Sequence, residues 1–467
     1  MIGPASTLKG FVLRNRRFLL FWTAVALLLR LFFLLKFRLL TNDSLVYGEL
    51  AKNWLQHGIY GQTYESGPEP TFIRLPGYPM LLALLWMVTG VEHYTAILIV
   101  QIVVDVLTCF VVADLARRIA SERAARWAFA STALCAFFAN YSAVALTETW
   151  AIFCAALALD AAIAALDEPS RRSTWVICGV ALGAGILLRP DGGILLGVIG
   201  ACALVMWWKR RSNDIVKGIA LTTVLALAPL IPWTARNWRT FHLIQPLAPF
   251  NANMPWEFVP NGFHRWARTW VADYSSVEDV LFRVEGEEVA VDVLPQRAFD
   301  SDAQRLRTQQ ILETYVENGN AFSPEIDAQF AALAEERVRA HPLRYYVGLP
   351  LMRAADLWLR PRTEMLPVDP HWWRLSEDDP RQFWASVLLG ALNLLYMIAA
   401  AIAIMRRRVR YLWLFVAFAL VRTAFLAWMP NPEPRYVLEC YPALLAIAGA
   451  AFGRKNSEDE LRERAVR

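Results

Sequence analysis

Residues 18–40 read FLLFWTAVALLLRLFFLLKFRLL, and the polar stretch TNDSLVYGELA follows directly at residues 41–51. An apolar helix of about 20 residues rises roughly 30 Å, which matches the hydrocarbon core of a bilayer. A basic stretch at residues 14–17 precedes the apolar one, and no small-residue cleavage site separates it from the polar segment. The sequence therefore predicts an uncleaved first membrane span with the polar stretch on its far side.

The whole chain has the composition of a membrane protein. Of its 467 residues, 56% are hydrophobic and 19% are charged, and the mean hydropathy is +0.33, whereas soluble domains average about 25% charged residues. Long apolar stretches exclude a transmembrane barrel, whose strands alternate in short runs. The candidate stretches are 18–40, 75–90, 95–116, 126–146, 149–166, 174–189, 193–208, 216–236, 384–405, 411–429 and 434–453. We predict an all-α, polytopic bundle of about ten transmembrane helices.

Clusters of arginine and lysine between the apolar stretches determine the predicted topology, because such clusters stay on the cytoplasmic side. They lie at 14–17, 117–126, 171–172, 209–211, 406–410 and 454–455. We interpret them as topogenic anchors, so no nucleic-acid partner is predicted. Three apolar stretches separate the first two clusters, although an even number of crossings is required. Residues 75–90 begin with a turn-rich LPGYP, so we predict a short helix packed in the external loop or re-entering the membrane.

The predicted organisation follows from this topology. It comprises a transmembrane core at 1–236 with its first external loop at 41–94, a partly helical external region at 237–383, C-terminal transmembrane helices at 384–453 and a cytoplasmic tail at 454–467. Both termini are then cytoplasmic. All six cysteines lie within apolar stretches, so the sequence predicts neither a disulfide framework nor a CxxC metal site.

The same topology brings several charged residues to the external membrane face. The acidic residues are Asp43, Glu148 and Asp191, and the arginines include Arg74, Arg189, Arg236 and Arg435. A carboxylate can deprotonate an acceptor hydroxyl, and the planar fork of arginine suits a phosphate. This combination favours transfer of a sugar from a lipid-linked phosphate to an acceptor hydroxyl.

Each of these residues also has a structural interpretation. Asp43 can cap the helix that begins near Ser44, and Asp191 lies in an Arg-Pro-Asp-Gly-Gly turn. Arg236 can be an interfacial anchor, and Arg435 can pair with Glu433. His57 is either a surface residue or a hydrogen-bond donor to the phosphate.

Charged residues inside the predicted spans, of which Asp105 is the most central, are by default a sign of function. Asp105 can form a structural pair with Arg30 or Arg422, or it can belong to the proton relay of a transporter.

Ordered motifs resemble a known group. They are Asn42-Asp43 through Tyr47, Ala51, Asn53, Gly58 and Tyr60 to the RLPGYP motif at 74–79, then LTE at 146–148, RPD at 189–191, PWTARN at 232–237, and PRY at 434–436 followed by Pro442. Together they resemble family 39 of the GT-C membrane glycosyltransferases, which includes dolichyl-phosphate-mannose protein mannosyltransferases and bacterial aminoarabinose lipid A transferases. The resemblance covers the membrane part and fades over residues 250–380.

The resemblance implies roles for particular residues. It makes Asp43 the catalytic base and Glu148 the second acidic residue, which helps to place the acceptor or a divalent cation. Arg435 and Tyr436 are expected near the lipid phosphate. The remaining expected ligands of the donor are Tyr47, His57, Tyr78 and Asp191. Arg74 and Arg236 are added to them on the grounds of topology alone. Where the family commonly has an acidic pair, this sequence reads Asn42-Asp43-Ser44 and has one carboxylate. Whether Asp43 and Glu148 bind a divalent cation therefore stays open, and no other cofactor is expected.

The expected protein is a bacterial inner-membrane glycosyltransferase with an external, periplasmic active site. It would move a sugar, with inversion, from a polyprenyl-phosphate donor to a hydroxyl of a lipid, glycan or protein acceptor. A polytopic transporter or flippase for a lipid-linked or small polar substrate is the alternative. The sequence leaves the sugar and the acceptor open.

Overall fold

Helices dominate the computed structural model, which describes residues 8–284, 286–406 and 409–453. The predicted tail at 454–467 lies outside the described residues. The first helices are α1 Leu8–Arg14, α2 Arg16–Lys36, α3 Asn42–His57, α4 Gly77–Thr89, α5 Tyr94–Ile119, α6 Glu122–Ala133, α7 Ala136–Ser142, α8 Glu148–Asp167, α9 Arg172–Leu188, α10 Gly193–Arg210, α11 Asn213–Leu227 and α12 Leu230–Phe241. The predicted all-α class is confirmed.

The later helices are mostly shorter. They are α13 Asn261–Ala267, α14 Tyr274–Ser276, α15 Asp302–Glu317, α16 Pro324–Ala340, α17 Leu349–Leu359, α18 Pro380–Met405, α19 Leu412–Trp428 and α20 Tyr441–Ala450. An antiparallel hairpin between α3 and α4 pairs β1 Gly61–Tyr64 with β2 Gly67–Pro70. This hairpin was not predicted from the sequence.

The described chain forms two compact units. Unit 1 contains residues 8–254, 394–418 without 407 and 408, and 438–453. Unit 2 contains residues 255–393 without 285, and 419–437. The predicted boundaries at 236 and 383 stay predictions, because a compact unit and a membrane crossing are different properties of a chain.

Within the described residues, six helices are long and apolar enough to cross a membrane. They are Arg16–Lys36, Tyr94–Ile119, Glu148–Asp167, Pro190–Arg210, Asn213–Phe241 and Pro380–Met405. Three shorter apolar helices are Gly77–Thr89, Arg172–Leu188 and Leu412–Trp428. Large apolar side chains on α2, including Leu20, Phe21, Leu28 and Leu35, are exposed and present a surface suited to lipid. The protein is therefore an integral membrane protein, and the number of ten crossings stays a prediction.

Two predicted spans are wrong as continuous helices. Residues 126–146 are broken between α6 and α7, where Arg30 donates hydrogen bonds to the carbonyls of Thr132 and Ala133 at the end of α6. The guanidinium thus satisfies carbonyl groups that would accept hydrogen bonds from backbone amides if the helix continued. Residues 434–453 form a 3₁₀ stretch, Pro434–Cys440, before the ten-residue α20.

A buried ion pair explains the most central charge of the membrane part. The Nε of Arg30 lies 2.6 Å from Oδ2 of Asp105, and both side chains are almost fully buried. Pairing compensates each charge where water is excluded. The structure therefore favours the structural interpretation of Asp105 over the proton-relay one.

The short helix predicted at 75–90 is present as α4. Its 13 residues rise about 20 Å, which is less than a hydrocarbon core requires. A Cβ on Gly77 would lie 2.5 Å from the carbonyl oxygen of Leu187, so glycine is required for this approach of α4 to α9. The contact brings the segment before α4 to the end of α9, where Arg189 lies.

Unit 2 has a helical core of its own. α13, α15 and α16 bury an aromatic and aliphatic cluster that includes Phe263, Trp266 and Phe330. Ser301 and Ser323 cap α15 and α16 through their side chains, and Pro324 starts α16. The external region predicted to be partly helical thus contains α15 and α16.

Candidate functional site

Asp43 is the second residue of α3 and lies two positions after the cap residue, Thr41. The side chain of Thr41 accepts a hydrogen bond from the amide of Ser44 at 3.2 Å, and Ser44 Oγ accepts one from the amide of Thr41 at 3.0 Å. This capping box satisfies the helix start, so Asp43 is not the capping residue. Its Oδ1 instead lies 2.9 Å from a guanidinium nitrogen of Arg74, and both side chains remain about a third exposed or less.

Arg74 is positioned by the segment between α3 and α4. The hydroxyl of Tyr60 donates to the carbonyls of Arg74 and Leu75, at 3.0 and 3.2 Å. Arg236 in turn donates to the carbonyls of Tyr60 and Thr71, both at 2.7 Å. Arg236 therefore anchors the segment that carries Arg74, in agreement with its structural interpretation.

Glu148 is the first residue of α8 and is almost fully buried. Its Oε1 lies 3.2 Å from Arg189, whose guanidinium also lies 3.2 Å from Asp191 and 3.5 Å from Glu439. One guanidinium thus joins three carboxylates from three separate chain segments. Low exposure of all four side chains strengthens these interactions relative to surface pairs.

Arg189 was predicted on the external face, and Glu439 lies inside a predicted span, where charge is by default a sign of function, but neither residue was assigned a specific role. The available signal was weak, since Arg189 ends an apolar stretch and Glu439 lies within one. Both positions are also compatible with an interfacial anchor. Only their approach in three dimensions connects them to Glu148.

A hydrogen-bond chain supports the segment that leads to Glu148. The hydroxyl of Tyr78 donates to Oε1 of Gln101 at 2.8 Å. The amide nitrogen of Gln101 then donates to the carbonyls of Ser142 and Val144, at 3.3 and 2.8 Å. Tyr78 therefore acts on the backbone before Glu148, through a glutamine that was not predicted.

Tyr47 connects the two acidic positions. Its ring packs against that of Tyr78, with centroids 5.2 Å apart. Burial and the carboxylates of Asp43 and Glu148 raise the pKa of Tyr47, and with the opposing effect of Arg74 and Arg189 it lies at about 12. Tyr47 is thus within electrostatic range of both pairs and keeps its proton at neutral pH, so its hydroxyl can donate a hydrogen bond.

Of the other predicted ligands, His57 lies apart from this group within unit 1. His57 is exposed at the last residue of α3, about 21 Å along the helix axis from Asp43. Arg435 and Tyr436 belong to unit 2. There, Nε of Arg435 lies 2.7 Å from Glu433, which also accepts a hydrogen bond from Tyr436. Arg435 thus forms the ion pair with Glu433 that its structural interpretation predicted.

Asp43 and Glu148 offer two carboxylates to a divalent cation, and each also faces an arginine. Among the described residues, no group of three or more His, Cys, Asp or Glu side chains could hold a metal ion. Mg²⁺ can be bound through one or two carboxylates together with waters and substrate phosphates. A divalent cation at Asp43 and Glu148 therefore stays a prediction, and no step of the chemistry is derived through one.

The part of the chain that carries most of these residues matches a known protein family. Residues 69–235, which carry Arg74, Tyr78, Glu148, Asp191 and Arg189, match the family described as dolichyl-phosphate-mannose-protein mannosyltransferase. The resemblance to GT-C glycosyltransferases predicted from the ordered motifs is thus confirmed over this region.

The curated relatives of this protein match part of it. It is 29% identical over 227 residues to the undecaprenyl phosphate-alpha-4-amino-4-deoxy-L-arabinose arabinosyl transferase of Pseudomonas aeruginosa strain UCBPP-PA14. The transferase of the same name from Pseudomonas paraeruginosa is equally similar. Each match covers 45% of this chain, which spans only 39% of the relative's own length.

A solved structure shows the same fold over a longer region. The archaeal oligosaccharyltransferase AglB from Archaeoglobus fulgidus, in complex with an inhibitory peptide and a dolichol-phosphate, aligns with a TM-score of 0.50 at 14% identity. The alignment covers 94% of this chain and 50% of AglB. At this identity the likeness concerns the fold alone.

Proposed function

We propose that this protein transfers a sugar, with inversion, from a polyprenyl-phosphate-linked donor to an acceptor hydroxyl. The observation that carries the proposal is that Asp43 and Glu148, each paired with an arginine, both lie within electrostatic range of Tyr47. The named activity of the Pseudomonas relatives, which concerns an undecaprenyl phosphate sugar, supports this class of donor.

Asp43 is the proposed base. Its carboxylate takes the proton of the acceptor hydroxyl, and the acceptor oxygen then attacks the anomeric carbon of the sugar. The bond from that carbon to the phosphate oxygen breaks as the new bond forms, and the polyprenyl phosphate leaves with the electron pair. Arg74 pairs with Asp43, and the partial exposure of Asp43 leaves it accessible to an acceptor.

Glu148, Tyr47 and Asp191 are proposed to orient the reactants. Arg189 holds Glu148 in place, so that its carboxylate can accept a hydrogen bond from the acceptor. The protonated hydroxyl of Tyr47 can donate one to a sugar or phosphate oxygen. In unit 2, Arg435 and Tyr436 are proposed to bind the lipid phosphate, since a guanidinium offsets the negative charge that develops there.

The proposed setting is the inner membrane of a bacterium. The site then faces the periplasm, both termini are cytoplasmic, and the acceptor is a lipid, a glycan or a protein. The basic clusters between the apolar stretches support this orientation.

Reconstitution of the purified protein in nanodiscs tests the proposal. A panel of undecaprenyl-phosphate-linked sugars is supplied together with membrane lipids and glycans, and mass spectrometry follows the release of undecaprenyl phosphate. Release by the wild-type protein and its loss in Asp43→Asn support the proposal. Failure to release undecaprenyl phosphate from any donor, together with labelling of Asp43→Cys that alternates with substrate, would support the transporter alternative instead.

A further inference from the structure

A short backbone bridge joins the two segments that carry Asp43 and Glu148. Leu39 and Val144 pair as an isolated parallel β-bridge, in which the amide of Leu39 donates to the carbonyl of Ala143 at 3.3 Å. Asp43 lies four residues after Leu39, and Glu148 lies four residues after Val144. The bridge therefore ties the two segments together at the same distance along the chain from each acidic residue.

Three consecutive carbonyl groups at the end of α7 receive their donors from other segments. Ser142 is the last residue of α7, and the last carbonyls of a helix have no partner within it. The side-chain amide of Gln101 donates to the carbonyls of Ser142 and Val144, at 3.3 and 2.8 Å. The amide of Leu39 donates to the carbonyl between them. The carbonyl of Val144 also accepts from the amide of Leu146 at 2.8 Å, so the turn into α8 begins at the bridge.

Gln101 is fully buried, and both polar groups of its side chain have partners. The hydroxyl of Tyr78 donates to Oε1, which directs the amide nitrogen of Gln101 to the carbonyls at the end of α7. Tyr78 belongs to α4, which approaches α9 closely at Gly77. Hydrogen bonds in such a water-poor interior are stronger than in water. Gln101 is therefore fixed at a point where α4, α5 and the end of α7 meet.

We infer that Gln101 is a positioning residue, which through this bridge sets the place of Glu148 relative to Asp43. The inference rests on the proposed function, in which both carboxylates contact the acceptor. Loss of the Gln101 donors would leave buried carbonyls unpaired, so the segment before Glu148 would shift towards other donors. Displacement of a reacting group by about 1 Å can slow a reaction roughly 10²-fold. Gln101 thus acts on the rate through the backbone.

Two changes break this connection at different points. Gln101→Met keeps the length of the side chain and removes its donors. Its matched control is Thr108→Val, because Thr108 is fully buried on the same helix and donates to the carbonyl of Val104 in that helix. Leu39→Pro removes the backbone donor of the bridge, whereas Leu39→Ala keeps it. The side chain of Leu39 is exposed, so neither change leaves a cavity.

Hydrogen exchange of the full-length protein in nanodiscs tests the bridge. We expect Gln101→Met and Leu39→Pro each to speed exchange in both segments, 38–44 and 142–149, because either change releases the bridge. Thr108→Val and Leu39→Ala should exchange like the wild type. Unchanged exchange, or faster exchange in only one of the two segments, would overturn the inference.

Steady-state transfer in the same nanodiscs tests the positioning. The donor and acceptor are the pair from the panel above that gives the fastest release of undecaprenyl phosphate. We expect Gln101→Met and Leu39→Pro to raise the KM for the acceptor and to lower kcat/KM by about tenfold or more. The KM for the donor should stay unchanged, because Arg435 and Tyr436, the proposed phosphate ligands, lie on a separate segment. The double variant should lose no more than the more affected single variant, since both changes break one connection.

Failure of the inference and failure of the proposed function give different results. If the wild-type protein releases undecaprenyl phosphate with no pair, the proposed function is wrong, and the positioning role falls with it. If the wild type transfers sugar but both variants keep its KM for the acceptor and lose rate only in proportion to folded protein, Gln101 has a structural role alone and the inference is refuted. Equal kinetics of Leu39→Pro and Leu39→Ala would refute it as well.

Discussion

Replacement of Asp43 by asparagine separates catalysis from stability more sharply than any other change. Asn keeps the size of the side chain but cannot act as a base at neutral pH. Removal of a general base typically slows a reaction by about 10²–10⁴-fold, which corresponds to roughly 3–5 kcal/mol of activation free energy. We therefore expect Asp43→Asn to lower the transfer rate by at least two orders of magnitude.

The structure predicts a much smaller effect on folding. The pair of Asp43 with Arg74 is partly exposed, so its loss costs roughly 0.5 kcal/mol after screening by solvent. The interaction of Asp43 with the start of α3 contributes about 0.5 kcal/mol more. The capping box of Thr41 and Ser44 remains intact. The free energy of unfolding should thus fall by roughly 1 kcal/mol.

The assay compares two variants in the same nanodisc preparation. Undecaprenyl phosphate release gives the transfer rate, and thermal denaturation gives the folded fraction. Asp214→Asn is the matched control, because Asp214 is the second residue of α11, as Asp43 is of α3, and is exposed. A normal rate in Asp43→Asn, or a loss of rate no larger than its loss of folded protein, would refute the assignment of the base.

Three further changes test other contacts. Arg189→Met should destabilise the folded protein by about 3 kcal/mol in chemical denaturation, because buried carboxylates lose their cation; Arg189→Lys should lose less. Arg236→Lys should speed hydrogen exchange around Tyr60 and Thr71, since a lysine cannot span both carbonyls; unchanged exchange would contradict the anchoring role. In the wild type, the pKa of Tyr47 is raised from 10 to about 12, so its contribution to stability is complete below pH 10 and is lost as pH rises towards 12. Tyr47→Phe should lack that loss in melting temperatures measured from pH 9 to about 12, and equal slopes would contradict this.

Local sequence patterns were enough for most helices of the membrane part. The apolar stretch at 18–40 predicts a helix because backbone groups within a bilayer must be satisfied inside the chain, and α2 covers most of this stretch. The turn-rich start at Leu75 likewise predicts a short helix, observed as α4. Periodicity failed at 126–146, since a distant residue, Arg30, binds the carbonyls where the helix breaks.

The candidate site was only partly predictable. The order of the acidic and arginine motifs indicated Asp43, Glu148 and the family, because topology assigns a side of the membrane to every residue. The order of the motifs could not indicate which arginine pairs with which carboxylate. Whether Arg74 meets Asp43, and Arg189 meets Glu148, depends on how α3, α4, α8 and α9 pack.

The sequence by itself determined the class of protein, an α-helical membrane protein that resembles the GT-C glycosyltransferases, because apolar lengths and motif order are properties of the linear chain. Only the tertiary structure decided that Arg189 joins three carboxylates and that Gln101 supports the segment before Glu148. The physical reason is the distance along the chain over which each kind of interaction acts. Hydropathy and capping act within about 20 residues along the chain, whereas these contacts join segments far apart in sequence, brought together by packing.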